Sequence, residues 1–174
     1  MRSGRGISFV VAAVVVAVVV GLIVAALTDS LWWSPGHPNT ASRVRGFETV
    51  AYTVSGRSPP GCALLADTEA QRGLGLMNRL DLAGYDGMVF LWPAPTTEAF
   101  YMKDTLIPLS VAWFDQVSHF VSEADMAPCP PAVLSCPLYS AAAPYTVAIE
   151  VRQGGLARLG IGPGSSVALG GPCR

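Results

Sequence analysis

A chain of 174 residues has room for one domain of ordinary size and one further segment, and its formal charge of −1 gives no basic excess of the kind that nucleic-acid binders carry. Hydrophobic residues make up 51% of it, with a mean hydropathy of +0.44, but that average mixes two unlike parts. Of the eleven basic residues, Arg2 and Arg5 precede the apolar run; the nine that follow face twelve acidic ones, a net of −3 that also argues against a polybasic lipid-binding surface.

From Gly6 to Thr28 there is no charged residue, and Ile7–Leu27 is almost entirely Val, Ala, Ile and Leu. At a helical rise of about 1.5 Å per residue this run reaches about 31 Å, close to the hydrocarbon thickness of a bilayer. No polar face interrupts it, so a transmembrane helix over 7–27 is predicted rather than an amphipathic surface helix. A cleaved signal has a shorter apolar core, of about 7–15 residues, so a retained signal-anchor is expected. Cleavage after Val24-Ala25-Ala26, giving a secreted product, is the alternative, and no Cys follows the run to take a lipid.

Arg2 and Arg5 lie ahead of the run, and Asp29 is the first charge after it. The positive-inside tendency leaves residues 1–6 in the cytoplasm and sends 28–174 across the membrane. Trp32 and Trp33 fall where indole rings favour the headgroup region. The bilayer is thus the first expected partner, and a single-pass protein of the cell membrane is the expected location.

Residues 28–46 contain Pro, Gly, Ser and Thr and read as a linker. From Phe47 onward, short runs rich in Val, Phe, Tyr and Trp alternate with turn residues, a strand signal. Strands are predicted over 47–54, 61–66, 87–92, 97–102, 109–115, 118–124, 145–151 and 165–169, with a hairpin joining 109–115 to 118–124. A helix follows Thr68, where Thr68-x-x-Gln71 fits a capping box and Asp67 and Glu69 suit the positive helix end. Ala70, Leu74 and Met77 give it one stripe predicted to be buried, and Gly73 and Gly75 keep it short. A second short helix is predicted over 155–159. The fold class is α+β, mostly β, a compact barrel-like domain over 47–174.

Cys62, Cys129, Cys136 and Cys173 all lie beyond the apolar run, in the compartment where disulfides persist. Four cysteines allow three pairings. The loop-like stretch between Cys129 and Cys136 favours their bridging, which leaves Cys62 with Cys173. Only His37 and His119 are present and there is no C-x-x-C, so neither a zinc site nor any other metal or cofactor is expected.

Three stretches carry a resemblance: Gln71-Arg72-Gly73-Leu74-Gly75-Leu76-Met77-Asn78-Arg79 with Gly84–Phe90; Phe100-Tyr101-Met102-Lys103-Asp104-Thr105-Leu106-Ile107-Pro108-Leu109; and Ala148-Ile149-Glu150-Val151 with Gly154 and Gly160–Gly164. In this order and spacing the chain, over roughly 47–170, resembles the domain-of-unknown-function family 192, the uncharacterised ACR family. The resemblance implies a compact β-rich domain, often behind a signal or membrane segment, with no established biochemical role. Many members carry Asp directly after the Pro-Leu, where this chain has Ser110. Any role of that Asp is then absent here or has moved to Asp104 or Asp115.

Within these stretches Arg72 and Arg79 suit an anion clamp, or else pair with Asp67, Glu69, Asp81 or Asp86 nearby. Lys103, the one Lys among eleven basic residues, and Asp104 form either a functional pair or a structural ion pair at a turn. Met77, Met88 and Met102 lack a Met-x-x-Met run or an adjacent His, so core packing is a better reading than copper binding. Trp92, Phe100 and Tyr101 could line a pocket. No G-x-S-x-G, Walker loop or H-E-x-x-H occurs. The leading expectation is a non-catalytic binding module for a small anionic or envelope ligand or a protein partner, using Arg72, Arg79, Lys103 and Asp104. An extracytoplasmic enzyme built on Lys103 and Asp104, with Arg72 and Arg79 as the clamp, is the second, and a structural or assembly role the third.

Overall fold

The structure, a computed structural model, describes residues 44–55 and 57–173. The predicted membrane helix over 7–27, its flank 1–6, the Trp32–Trp33 pair and nearly all of the 28–46 linker lie outside those residues. Among the described residues no helix is long and apolar enough to cross a membrane.

The described elements run β1 (Glu48–Val54), β2 (Gly61–Ala66), α1 (Glu69–Leu74), β3 (Gly87–Thr96), β4 (Phe100–Tyr101), β5 (Leu109–Phe114), β6 (Phe120–Met126), β7 (Leu138–Tyr139), β8 (Tyr145–Arg152), α2 (Gly155–Leu159) and β9 (Val167–Leu169). Seven strands make one sheet in the order β6-β5-β8-β3-β2-β1-β9, while β4 and β7 pair separately. Every pairing is antiparallel except β2 with β3. Parallel neighbours need a crossover, and α1 with residues 75–86 provides it.

The two edge strands of the sheet meet at one end. His119 and Ser166 form an antiparallel bridge, the Phe120 N–H donates to the Ser165 carbonyl at 2.9 Å, and the Val167 N–H donates to that of Ser118 at 3.0 Å. The sheet therefore curls into a half-barrel that touches itself there, which protects part of both edges.

Both faces of the central strands are covered. One face gathers Tyr52, Val89, Phe114 and Ile149 with Leu156 of α2 and Ile161. The other gathers Leu64, Phe90, Trp113 and Met126 with Leu76, Tyr85 and Met102 from the connections. This double cover explains why all six residues of β5 are buried, so that it reads as a continuous apolar run rather than an alternation. Met88 and Met102 are core side chains here.

The two disulfides are Cys62–Cys173 and Cys129–Cys136, with Cα–Cα distances of 5.7 and 5.9 Å. The first ties β2 to the C-terminal end, and the second clips the loop ahead of β7. The predicted hairpin is β5–β6, and the second helix falls on 155–159 as predicted.

Two expectations need correction. The capping box of α1 is present, with the Thr68 hydroxyl accepting from the Gln71 N–H, yet none of its residues is buried. Ala70 and Leu74 are exposed, because α1 ends at Leu74 and is too short to lay a stripe on the sheet; the buried apolar residue is Leu76, beyond the end. The strand predicted to end at 92 continues to Thr96. Pro93 and Pro95 cannot donate to the ladder, so the register breaks after Leu91↔Val147 and resumes at Thr96↔Tyr145.

Candidate functional site

Arg72, in the last turn of α1, does the anchoring that an apolar stripe would otherwise do. Its guanidinium donates to the carbonyls of Asp67 at 2.7 Å and Leu91 at 2.9 Å, and it lies 5.2 Å from the centroid of the Trp92 ring. Trp92 in turn meets Tyr145 edge-on at 5.0 Å and Phe100 at 6.1 Å, while Phe90 and Phe100 meet at 5.1 Å. Offset and edge-on contacts of this kind suit the ring quadrupoles and hold the group rigid. Glu98 pins it at the edge: its carbonyl accepts from the Tyr145 hydroxyl at 2.7 Å and its carboxylate from the Trp92 indole N–H at 3.3 Å. Burial and the nearby Glu98 raise the Tyr145 hydroxyl above its usual range, so it stays a donor.

These rings wall a cavity of about 450 Å³ that also takes in Glu69, Arg72, Tyr101, Thr105 and Glu150. The volume lies within the range of ordinary small-ligand sites, roughly 300–1,000 Å³. A more open depression of about 630 Å³ lies between residues 81–86 and α2, bordered by Asp81, Asp86, Arg152 and Arg158. It has opposed charges and one buried aromatic side chain, Tyr85, but no buried carboxyl.

Glu150 sets the first cavity apart. It sits in β8 among Ala148, Ile149 and Val151, is 4% exposed, and lines the cavity. Among the described residues no side-chain or backbone donor is hydrogen-bonded to its carboxyl, and burial alone pushes that carboxyl up to about 8. An unpartnered carboxylate would be costly there, so the neutral acid is the resting form at neutral pH.

Of the four side chains singled out from the sequence, only Arg72 lines this cavity. The Arg79 guanidinium lies 5.8 Å from the Phe47 ring centroid. The Lys103 ammonium lies 3.6 Å from the Asp104 carboxylate and donates to the carbonyls of Pro131 and Val133 at 3.4 and 3.3 Å, holding the clipped loop. Asp104 adopts φ 55°, and its backbone carbonyl accepts from the Asn78 N–H at 2.8 Å. Beside Ser110 stands neither Asp104 nor Asp115 but the cross-strand residue Asp125. Its carboxylate accepts from the Ser110 hydroxyl at 2.5 Å, while that hydroxyl accepts from the Gly154 N–H at 2.9 Å. Asp115 instead accepts the N–H groups of Val117 and His119 within the β5–β6 turn.

Among the described residues no cluster of three His, Cys, Asp or Glu could hold a metal ion. The sequence profile of DUF192, described as uncharacterized ACR, matches residues 53–169. The chain belongs to the DUF192 family.

Two solved structures are similar in fold. A protein of unknown function from Novosphingobium aromaticivorans DSM 12444 is 32% identical, with a TM-score of 0.60 over 72% of this chain and 89% of its own. A protein from Sinorhizobium meliloti 1021, described as a "putative transcription regulator", is 25% identical, with a TM-score of 0.59 over 71% of this chain and 93% of its own. No curated protein matches the sequence.

Sequence reasoning named Trp92, Phe100 and Tyr101 as possible pocket residues but passed over Glu150. The available signal was an acid within Val147–Val151, a run of the strand otherwise apolar on both faces.

Proposed function

We propose that this DUF192 chain is a membrane-tethered, extracytoplasmic binding module whose aromatic-walled cavity takes a small ligand. Tethering and compartment are supported by the uncharged apolar run over 7–27, the Arg2/Arg5 against Asp29 asymmetry and the pairing of all four cysteines. The binding role rests on one observation: a rigid cavity of about 450 Å³ lined by Phe90, Trp92, Phe100 and Tyr145, with a buried carboxyl facing no protein partner. An enzyme acting through Lys103 and Asp104 has less support, because the Lys103 amine is engaged with Asp104 and two loop carbonyls and neither residue lines the cavity. The regulator description of the Sinorhizobium relative is not carried over. A net of −3 beyond the apolar run provides no electrostatic footprint for DNA.

The test is a small-molecule thermal-shift screen on the full chain in a non-ionic detergent, repeated with Trp92→Ala. Hits that stabilise the wild type and lose their effect in a folded Trp92→Ala protein support the module. Hits that are indifferent to Trp92 place binding elsewhere and refute it.

A second reading, docking of an envelope protein, is favoured by the apolar surface beside the cavity. Leu138 is 71% exposed and pairs with Tyr101, which is itself half-exposed and lines the cavity.

A further inference from the structure

We propose that the cavity beside Trp92 is a site for a protonated amine carried on an apolar body, with the Glu150 carboxylate as its counter-ion. This names the ligand class for the binding module proposed above and rests on that reading.

Three observations converge on it. First, Glu150 is 4% exposed, lines the cavity, and receives no hydrogen bond among the described residues. A buried acid that the protein leaves unpartnered inside a cavity is completed by a donor from outside, and an ammonium supplies both the hydrogen bonds and the charge. Second, the other ionisable groups facing the cavity are Glu69 and Arg72 of α1, Glu98 between β3 and β4, and the Tyr101 and Tyr145 hydroxyls. Arg72, the only basic residue in the lining, gives one guanidinium nitrogen to two backbone carbonyls and lies against the Trp92 ring, so it is held at the wall as part of the scaffold. Glu69 and Glu98 outnumber Arg72 in the lining, so the charge there disfavours a carboxylate or phosphate ligand, which argues against the anionic ligand expected from the sequence. Third, the walls are aromatic. Their faces attract a cation and their area receives an apolar body.

Seating the ammonium involves one proton. Glu150 rests as a neutral acid; as the ammonium enters, the acid becomes a carboxylate and its proton passes to solvent. The products are an ion pair in the cavity and one hydronium in bulk water. No covalent bond forms to the ligand.

The experiment is isothermal calorimetry on the full chain in non-ionic detergent at pH 7, run in two buffers of different ionisation enthalpy. The probes are phenethylamine and tryptamine, the matching uncharged alcohol 2-phenylethanol, and the carboxylate 3-phenylpropionate. The Trp92 indole N–H resonance reports occupancy of the cavity. The expected result is that the amines bind about tenfold or more tightly than the alcohol, with about one proton released, and that Glu150→Gln reduces the amines to the alcohol's affinity. The proton count comes from the wild-type protein, so it holds even if the variant folds poorly. Alcohol or carboxylate binding as tightly as amine, with the Trp92 resonance shifted, overturns the amine assignment and leaves the binding module standing. A Trp92 resonance unmoved by any of the probes overturns both.

Discussion

Gly87 on β3 and Glu150 on β8 approach so closely that a Cβ on the glycine would collide with the Glu150 backbone carbonyl. The collision is with backbone in the middle of a sheet, which has no flexible end to yield. Gly87→Ala is therefore expected to destabilise the domain by about 1–3 kcal/mol, and by more if the β3–β8 ladder opens. Gly73, in α1, has nothing within 4 Å of its would-be Cβ. Gly73→Ala is expected to stabilise by about 0.5–1 kcal/mol through helix propensity. Urea denaturation of the two variants against wild type checks both signs.

Stability is expected to depend on pH through Glu150. Its folded-state value of about 8 lies above the ordinary 4.5, so the folded protein holds a proton that the unfolded chain releases. The stability tied to that proton is fully present below pH 4.5 and is lost as pH rises through 8, with a slope approaching about 1.4 kcal/mol per pH unit in between. Glu150→Gln is expected to flatten this dependence and to be the more stable protein at pH 8. Chemical denaturation at intervals from pH 4.5 to 8.5 measures it, and a wild-type curve as flat as that of the variant is the adverse outcome.

Arg72→Ala removes two hydrogen bonds to backbone carbonyls and the contact over Trp92. The expected loss is about 1–3 kcal/mol, since the charged hydrogen bond to the half-buried Leu91 carbonyl exceeds the usual surface value. Arg72→Lys is expected to recover only part of it: both carbonyls accept from one guanidinium nitrogen, which an ammonium can replace, but an ammonium has no plane to stack on the indole. Thermal melts with near-ultraviolet circular dichroism, which reports on Trp92, separate the two variants.

The disulfides are expected to contribute unequally. Cys62–Cys173 closes a loop with a sequence separation of 111, and Cys129–Cys136 one of 7. The chain-entropy model assigns about 5 kcal/mol to the first and about 2.5 kcal/mol to the second. Paired Ser substitutions measured by denaturation check the order, and a larger loss from the Cys129–Cys136 pair would contradict it.

Lys103→Ala is expected to cost under about 1 kcal/mol and to leave phenethylamine affinity unchanged. Its ammonium is partly exposed and holds the clipped loop rather than facing the cavity. Calorimetry on the folded variant decides whether the sequence-based assignment of Lys103 to a ligand site holds.

Much of the fold could be read in the sequence because local chemistry decided it. The Thr68–Gln71 capping box, the turn around Gln116–Ser118 and the span of α2 each depend on neighbours a few residues away. Errors arose where distant packing decided the outcome. Ala70 and Leu74 carry helical spacing, yet nothing in their surroundings buries them; Arg72 reaching the Leu91 carbonyl and Gln71 reaching that of Gly46 hold the helix instead. The predicted strand stops at 92, and β3 resumes beyond Pro93 and Pro95 by pairing with Tyr145, which is remote in sequence. The candidate site was legible only in part. Arg72 and the aromatic residues stood out by type, whereas Glu150 owes its significance to coverage by α1 and by residues 98–105, which a strand's own sequence does not reveal.

The most direct measurement is a carbon-13 NMR titration of the Glu150 side-chain carboxyl, alone and with saturating phenethylamine. In the free protein the carboxyl should titrate near 8, and with the amine bound it should remain ionised down to a clearly lower pH. A carboxyl that titrates in the ordinary range near 4.5 in both samples would mean that it is neither isolated in the cavity nor paired with the ligand.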